Sequence, residues 1–191
     1  MKPKRTNTGN PHKSHKMDQC QTPHYALDPL LPYLPKHWLI WESACGNGHI
    51  VTKLESEGYR VIGTDILSGA DFFRSQPDSW DCQVTNPPYS ERAKYDWIEH
   101  SYRLGKPFAL LMPLETMAAA KAQKWLSRFG VEIILPDKRI NFSMPNQGYN
   151  GGGAQFATAW FTFGLQIGSP LTFVKMHRYA DAQPSLLEAA P

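Results

Sequence analysis

The sequence has no long apolar run. The longest, residues 108–112, falls far short of the roughly 20 residues a helix needs to span a bilayer, as does 131–135, which Glu132 interrupts. It has only three cysteines, Cys20, Cys45 and Cys82, with neither paired spacing nor histidines at metal-finger spacing. A disulfide framework and a zinc module are thereby excluded, no metal site is expected, and a reducing, cytoplasmic setting is. The basic N-terminus has no apolar stretch behind it, so it does not read as a secretory signal. No internal repeat is present, which excludes a solenoid.

What is present is globular. Hydrophobic residues make up 41% and charged residues 19% of the 191, enough for one domain with a sizeable core and too few for two. The charge is uneven. The net is +3, but Lys2, Lys4, Arg5, Lys13 and Lys16 stand in residues 1–17 with no acid among them. The other 174 residues carry 15 basic and 17 acidic side chains, a net of −2. Residues 1–18 are expected to form a disordered basic arm, either a solvated tail or a phosphate-backbone contact acting through counterion release. Residues 19–180 read as the folded domain and 181–191 as a frayed tail.

Within the domain, short apolar stretches alternate with helical patterns, which predicts an α/β architecture and a mostly parallel sheet. Strands are expected over residues 38–43, 60–65, 82–85, 108–112, 131–135 and 156–163, with an edge strand over 171–177. Helices are expected over 25–34, from Gly48 to a stop at Gly58, and over 91–104 and 116–129. The stretch 144–155, with four glycines and two asparagines, breaks this rhythm and predicts a loop of little intrinsic order. It is either a lid over a ligand or a slack connection.

Two stretches carry chemistry. The first is Glu42-Ser43-Ala44-Cys45-Gly46-Asn47-Gly48, between an expected strand and an expected helix. Glycines there let a ligand approach the backbone beside a helix N-terminus. The turn lacks the third glycine of the dinucleotide fingerprint and the lysine of a phosphate loop. Asp65, 17 residues after Gly48, can take both hydroxyls of a ribose, or simply cap a strand end. Asp71 with Phe72 and Phe73 can offer an adenine amine an acceptor and its ring a stacking face, or be a loop acid. Two acids and no base in the turn suit a nucleoside without phosphate, such as S-adenosylmethionine.

The second is Asn86-Pro87-Pro88-Tyr89, which ends the strand over 82–85, since two prolines cannot continue it. An amine conjugated to an aromatic ring is a poor nucleophile because its lone pair is delocalised. Two fixed acceptors, the Asn86 side-chain oxygen and the Pro87 carbonyl, can each take one N–H and restore an available lone pair. Pro88 removes the N–H that would follow. Tyr89 supplies a face for a planar base, so on this reading its ring matters and its hydroxyl does not. A base in a duplex must first be flipped out to reach such a pocket. The plain alternative is a proline-rich strand exit.

Together these stretches resemble the amino-methyltransferases that make N6-methyladenine in nucleic acids. The order of a Thr22-Pro23 region, the glycine turn and the tetrapeptide is similar to the family's γ-type arrangement, over about residues 20–164. The resemblance implies a single-domain, Rossmann-like class I methyltransferase fold with a mostly parallel twisted sheet flanked by helices, and S-adenosylmethionine as cofactor. It implies that Thr22 and Glu42 serve the methionine end of that cofactor. Ala44, Gly46, Gly48, Asp65, Ile66, Asp71 and Phe72 complete its site. On the substrate side it implies Tyr89, Ser90 and Phe142, with Asn86, Pro87, Pro88 and Tyr89 as the catalytic set. Nothing in the sequence is long enough to be a separate target-recognition domain, so short or relaxed specificity, of a compact phage-like kind, is expected. DNA is the favoured polymer, with no membrane partner. RNA adenine, protein glutamine and N4-cytosine methylation remain open, as does an inactive nucleic-acid-binding fold.

Overall fold

The computed structural model describes residues 20–90, 93–143 and 156–177. The expectations for the basic arm, the glycine-rich loop over 144–155 and the tail over 181–191 lie outside the described residues. Among the described residues the chain runs β1 (Leu39–Glu42), α1 (His49–Ser56), β2 (Arg60–Gly63), β3 (Cys82–Thr85), α2 (Ala93–Leu104), β4 (Phe108–Pro113), α3 (Ala120–Phe129), β5 (Glu132–Pro136), β6 (Thr158–Phe163) and β7 (Leu171–Val174).

Strand β4 shows why the layers stack as they do. All six of its residues are buried, as a strand covered on both faces must be. Alternate side chains part to opposite faces. Phe108, Leu110 and Met112 pack with Ile98 and Tyr102 of α2 and Ala122 and Leu126 of α3. Ala109 and Leu111 pack with Ile50 and Leu54 of α1 and with Leu27, Leu30 and Leu34 ahead of β1. A third cluster, Trp41, Phe72, Trp80 and Trp97, closes the end of the sheet near β1.

The seven strands form one sheet in the order β2-β1-β3-β4-β6-β5-β7. β1 pairs in parallel with β2 and β3, and β3 with β4. β6 lies antiparallel between β4 and β5, and β7 runs parallel to β5 at the edge. The expected mostly parallel α/β sheet is therefore present. No helix among the described residues is long and apolar enough to cross a membrane.

Two expected helices differ. Residues 25–34 form short 3₁₀ turns, His24–Ala26 and Leu31–Tyr33, because Pro29, Pro32 and Pro35 remove the amides a continuous helix needs. Tertiary contacts hold them instead. The Trp160 indole N–H donates to the Ala26 carbonyl at 2.8 Å, the Tyr59 hydroxyl donates to the Leu34 carbonyl at 2.9 Å, and Lys53 pairs with Asp28 at 3.0 Å. The helix expected over 116–129 is split: a 3₁₀ turn over Leu114–Ala118, an extended Ala119 (ψ 131°), then α3.

Candidate active site

β1 and β3 are neighbours, and the connection from β1 leads away to β2 while that from β3 leads the other way to β4, which opens a crevice beyond the carboxyl ends of β1 and β3. Both chemistry-bearing stretches begin there. Glu42 is the last residue of β1, and Thr85, the residue before Asn86, is the last of β3.

These two residues touch. The Thr85 hydroxyl donates to Glu42 Oε1, which also accepts the Ala44 amide at 3.0 Å. Glu42 is fully buried, and its Oε2 has no hydrogen-bond partner among the described residues. Burial, with a smaller push from Asp65, raises its pKa to about 8, despite the two hydrogen bonds that favour the charged form. A buried carboxyl oxygen without a partner costs stability unless a ligand supplies one. The crevice thus holds a buried carboxyl that, on giving up its proton, presents an acceptor suited to a cationic group.

The glycine turn is built around Asp65. Gly46 (φ +47°) and Gly48 (φ +79°) take left-handed backbone that side chains rarely adopt, and Gly48 opens α1. The Gly46 amide donates to Asp65 Oδ2 at 2.9 Å and the Leu67 amide to Oδ1 at 2.8 Å. Each carboxylate oxygen keeps a further lone pair for a ligand. Beside it Ile66 and Leu67 are exposed, Leu67 by 71%, and present an apolar ledge that sequence reasoning gave no role beyond Ile66.

Phe72 requires a correction. Its ring is not available to a ligand: it is 4% exposed, stacked on Trp97 at 3.9 Å and tilted against Trp41 at 5.5 Å. Four aromatic rings met in one place across long sequence separations, and core packing claimed the ring. Asp71 is partly committed as well: its Oδ1 accepts the Phe73 amide at 3.0 Å and its Oδ2 lies 3.4 Å from Arg74 Nε.

The tetrapeptide leaves β3 at the mouth of the same crevice. Pro87 is buried, while Asn86, Pro88, Tyr89 and Ser90 are half-buried, and the Ser90 carbonyl accepts the Ala93 amide that opens α2. The Tyr89 hydroxyl lies 2.6 Å from Asn86 Oδ1 and 2.8 Å from the Leu111 carbonyl oxygen of β4. Burial pushes its phenol well above the ordinary tyrosine pKa, so it stays protonated. The hydroxyl that was given no part is therefore the group that meets Asn86.

Two more aromatic rings face Tyr89 edge-on. Phe142 lies 6.5 Å from it but is only 8% exposed, packed into the core that includes Leu27 and Trp160. Phe156, just before β6, lies 5.8 Å from Tyr89 and is 37% exposed. Of the two, Phe156 offers the more open surface to a planar ligand. Gln21 pairs with Ser143 in an antiparallel bridge (2.9 and 3.2 Å), which brings buried Thr22 to the same side as Phe142.

No protein-family model matches the sequence, and neither does any curated protein sequence. Solved structures do match. A candidate class I S-adenosylmethionine-dependent methyltransferase from Listeria monocytogenes superimposes with a TM-score of 0.55 at 16% identity, over 92% of this chain and 71% of that one. A modification subunit of a candidate type I restriction enzyme from Vibrio vulnificus superimposes with a TM-score of 0.50 at 12% identity. That match covers 82% of this chain and 46% of that one, so this chain spans less than half of the modification subunit. With β6 antiparallel between β4 and β5 and a crevice at the switch beside β1, this chain has the class I S-adenosylmethionine-dependent methyltransferase fold.

Proposed function

We propose that this protein transfers a methyl group from S-adenosylmethionine to the exocyclic N6 amine of adenine in DNA, with short or relaxed sequence preference. One observation carries the reading: the Thr85 hydroxyl rests on Glu42, so the acceptor-bearing glycine turn and Asn86-Pro87-Pro88-Tyr89 are joined at neighbouring strand ends. A donor site and an amine-activating site must be neighbours for direct transfer.

The residues present fit the cofactor. Glu42 Oε2, buried and without a partner among the described residues, suits the ammonium at the methionine end, and Thr22 is assigned to the same end of the cofactor. Asp65 serves the ribose and the exposed Ile66–Leu67 ledge the adenine, with Asp71 beside it. S-adenosylmethionine, when bound, supplies a methyl group already activated by a positively charged sulfur. This chain's own residues do the rest. The Asn86 oxygen and the Pro87 carbonyl each accept one N–H of the target amine, which frees its lone pair, and these acceptors are in place before the reaction begins. Tyr89 and Phe156 hold the flipped base between an aromatic face and an aromatic edge. The fold shared with a restriction–modification subunit agrees with a DNA substrate.

The test is nucleoside mass spectrometry of DNA and of RNA incubated with the protein and isotope-labelled cofactor. Labelled N6-methyladenine in DNA is expected. Label confined to RNA, to N4-methylcytosine or to protein glutamine would replace the substrate in this reading. No label in any of them would refute it.

A further inference from the structure

One phenol hydrogen faces two oxygens. Tyr89 Oη lies 2.6 Å from Asn86 Oδ1 and 2.8 Å from the Leu111 carbonyl, and a hydroxyl can donate to only one of them. The other contact then sets two oxygens together at hydrogen-bond distance with no hydrogen between them. Leu111 cannot resolve this, because a peptide carbonyl presents only an acceptor. Asn86 can. A carboxamide keeps its outline when its oxygen and nitrogen are exchanged, and its hydrogen bonds decide which end is which. With the exchange, 2.6 Å is a few tenths of an ångström short of an ordinary N–H···O separation, within a side-chain adjustment.

We propose that Asn86 turns its NH2 to Tyr89, so that a chain runs from Asn86 Nδ2–H to Tyr89 Oη and from Tyr89 Oη–H to the Leu111 carbonyl, leaving the Asn86 oxygen facing the substrate amine. The far end of the carboxamide has no partner among the described residues, so the freed oxygen has no competitor there. Tyr89 is then a positioning residue as well as a stacking surface. It acts through Asn86, and the fully buried strand β4 anchors it through Leu111. This proposal rests on the adenine reading above, since it assigns Asn86 oxygen to the amine.

The opposite arrangement predicts the opposite result. If Tyr89 donated to Asn86 oxygen, it would compete with the substrate amine for that oxygen, taking one of its two lone pairs, and removing the hydroxyl would leave turnover unchanged or faster. The experiment is a single-turnover assay on the full chain with a DNA duplex that the wild type methylates. Tyr89→Phe is expected to lower the rate about tenfold, in keeping with one lost hydrogen bond, while duplex binding changes less than twofold because the ring remains. In an Asn86→Ala background the same change is expected to cost nothing further. A second measurement needs no activity. In ¹⁵N NMR spectra the Asn86 side-chain amide protons should exchange with water faster in Tyr89→Phe than in wild type. An unchanged or raised rate in Tyr89→Phe, an equal loss in both backgrounds, or unaltered amide exchange would overturn the proposal. A wild type that methylates no nucleic acid would instead overturn the function reading, with the amide measurement still deciding the geometry.

Discussion

Glu42→Gln tests the centre of the site without relying on catalysis. In the folded protein burial keeps Glu42 neutral up to about pH 8, against an ordinary 4.5. Between those values the native state binds a proton that the unfolded chain has released, so stability falls as pH rises through the window and is flat on either side. Each pH unit removes about 1.4 kcal/mol, which comes to on the order of 5 kcal/mol across the interval. Glutamine keeps an oxygen for the Thr85 hydroxyl and the Ala44 amide but cannot titrate. Its NH2 takes the place of Oε2, which in the neutral wild type carries a proton with no partner among the described residues either, so the exchange costs little at low pH. The two stability curves should therefore lie close together at pH 5 and separate as pH rises, the variant being the more stable at pH 8 by about 4 kcal/mol. Urea unfolding at five pH values from 5 to 9 measures this directly. Groups elsewhere in the chain cancel in the difference, and the Cys45 thiol, raised by its own burial and by Glu42 and Asp65, titrates above the window. Calorimetry in buffers of different ionisation enthalpy adds the ligand side. At pH 7 S-adenosylmethionine binding should release a proton from the wild type and none from the variant. Parallel stability curves would show that Glu42 is an ordinary, ionised carboxylate and that burial does not hold a proton on it.

Asn86→Ala should lower single-turnover rate by roughly 100-fold or more while cofactor affinity, measured by calorimetry, holds, because the lost contact strengthens toward the transition state. Phe156→Ala should weaken duplex binding by about 1–3 kcal/mol with little change in melting temperature, whereas Phe142→Ala, which removes a buried ring, should cost about 3–5 kcal/mol of stability. Deleting residues 1–17 should flatten the salt dependence of duplex binding, since five cations leave with them. An unchanged slope in titrations from low to high salt would make that segment a bystander.

Local signals carried most of the architecture. The prolines at 87 and 88 set the end of β3, and Gly58 (φ +83°) follows α1 where the sequence places its stop. The unbroken apolar run over 108–112 named a strand, and the structure shows β4 buried on both faces. What failed was set by context. Three alanines in a row read as helix, yet Ala119 is extended and stands as the N-cap of α3, where propensity is only a weak prior. Phe72 beside Asp71 read as a ligand platform, and only the fold could show Trp41, Trp80 and Trp97 closing around it. Phe156 went unnoticed as a site residue because it reaches Tyr89 only once β6 pairs with β4. The link from Tyr89 to Leu111 likewise needs β3 and β4 side by side, which no spacing in the sequence reveals.

The place of β6 in the sheet has a consequence for biosynthesis. It is the last strand but one among the described residues, yet it lies between β4 and β5 and hydrogen-bonds along all of Phe108–Pro113. During translation β1 to β4 can assemble as they emerge, but β4 then presents a wholly apolar, unpaired edge until Thr158–Phe163 clears the ribosome. At 5–20 residues per second that exposure lasts seconds, long enough for another nascent chain to pair with it. A chain interrupted anywhere between Pro113 and Thr158 therefore keeps its most adhesive surface open, so that stalled or truncated products of this gene are destined for chaperones and proteases.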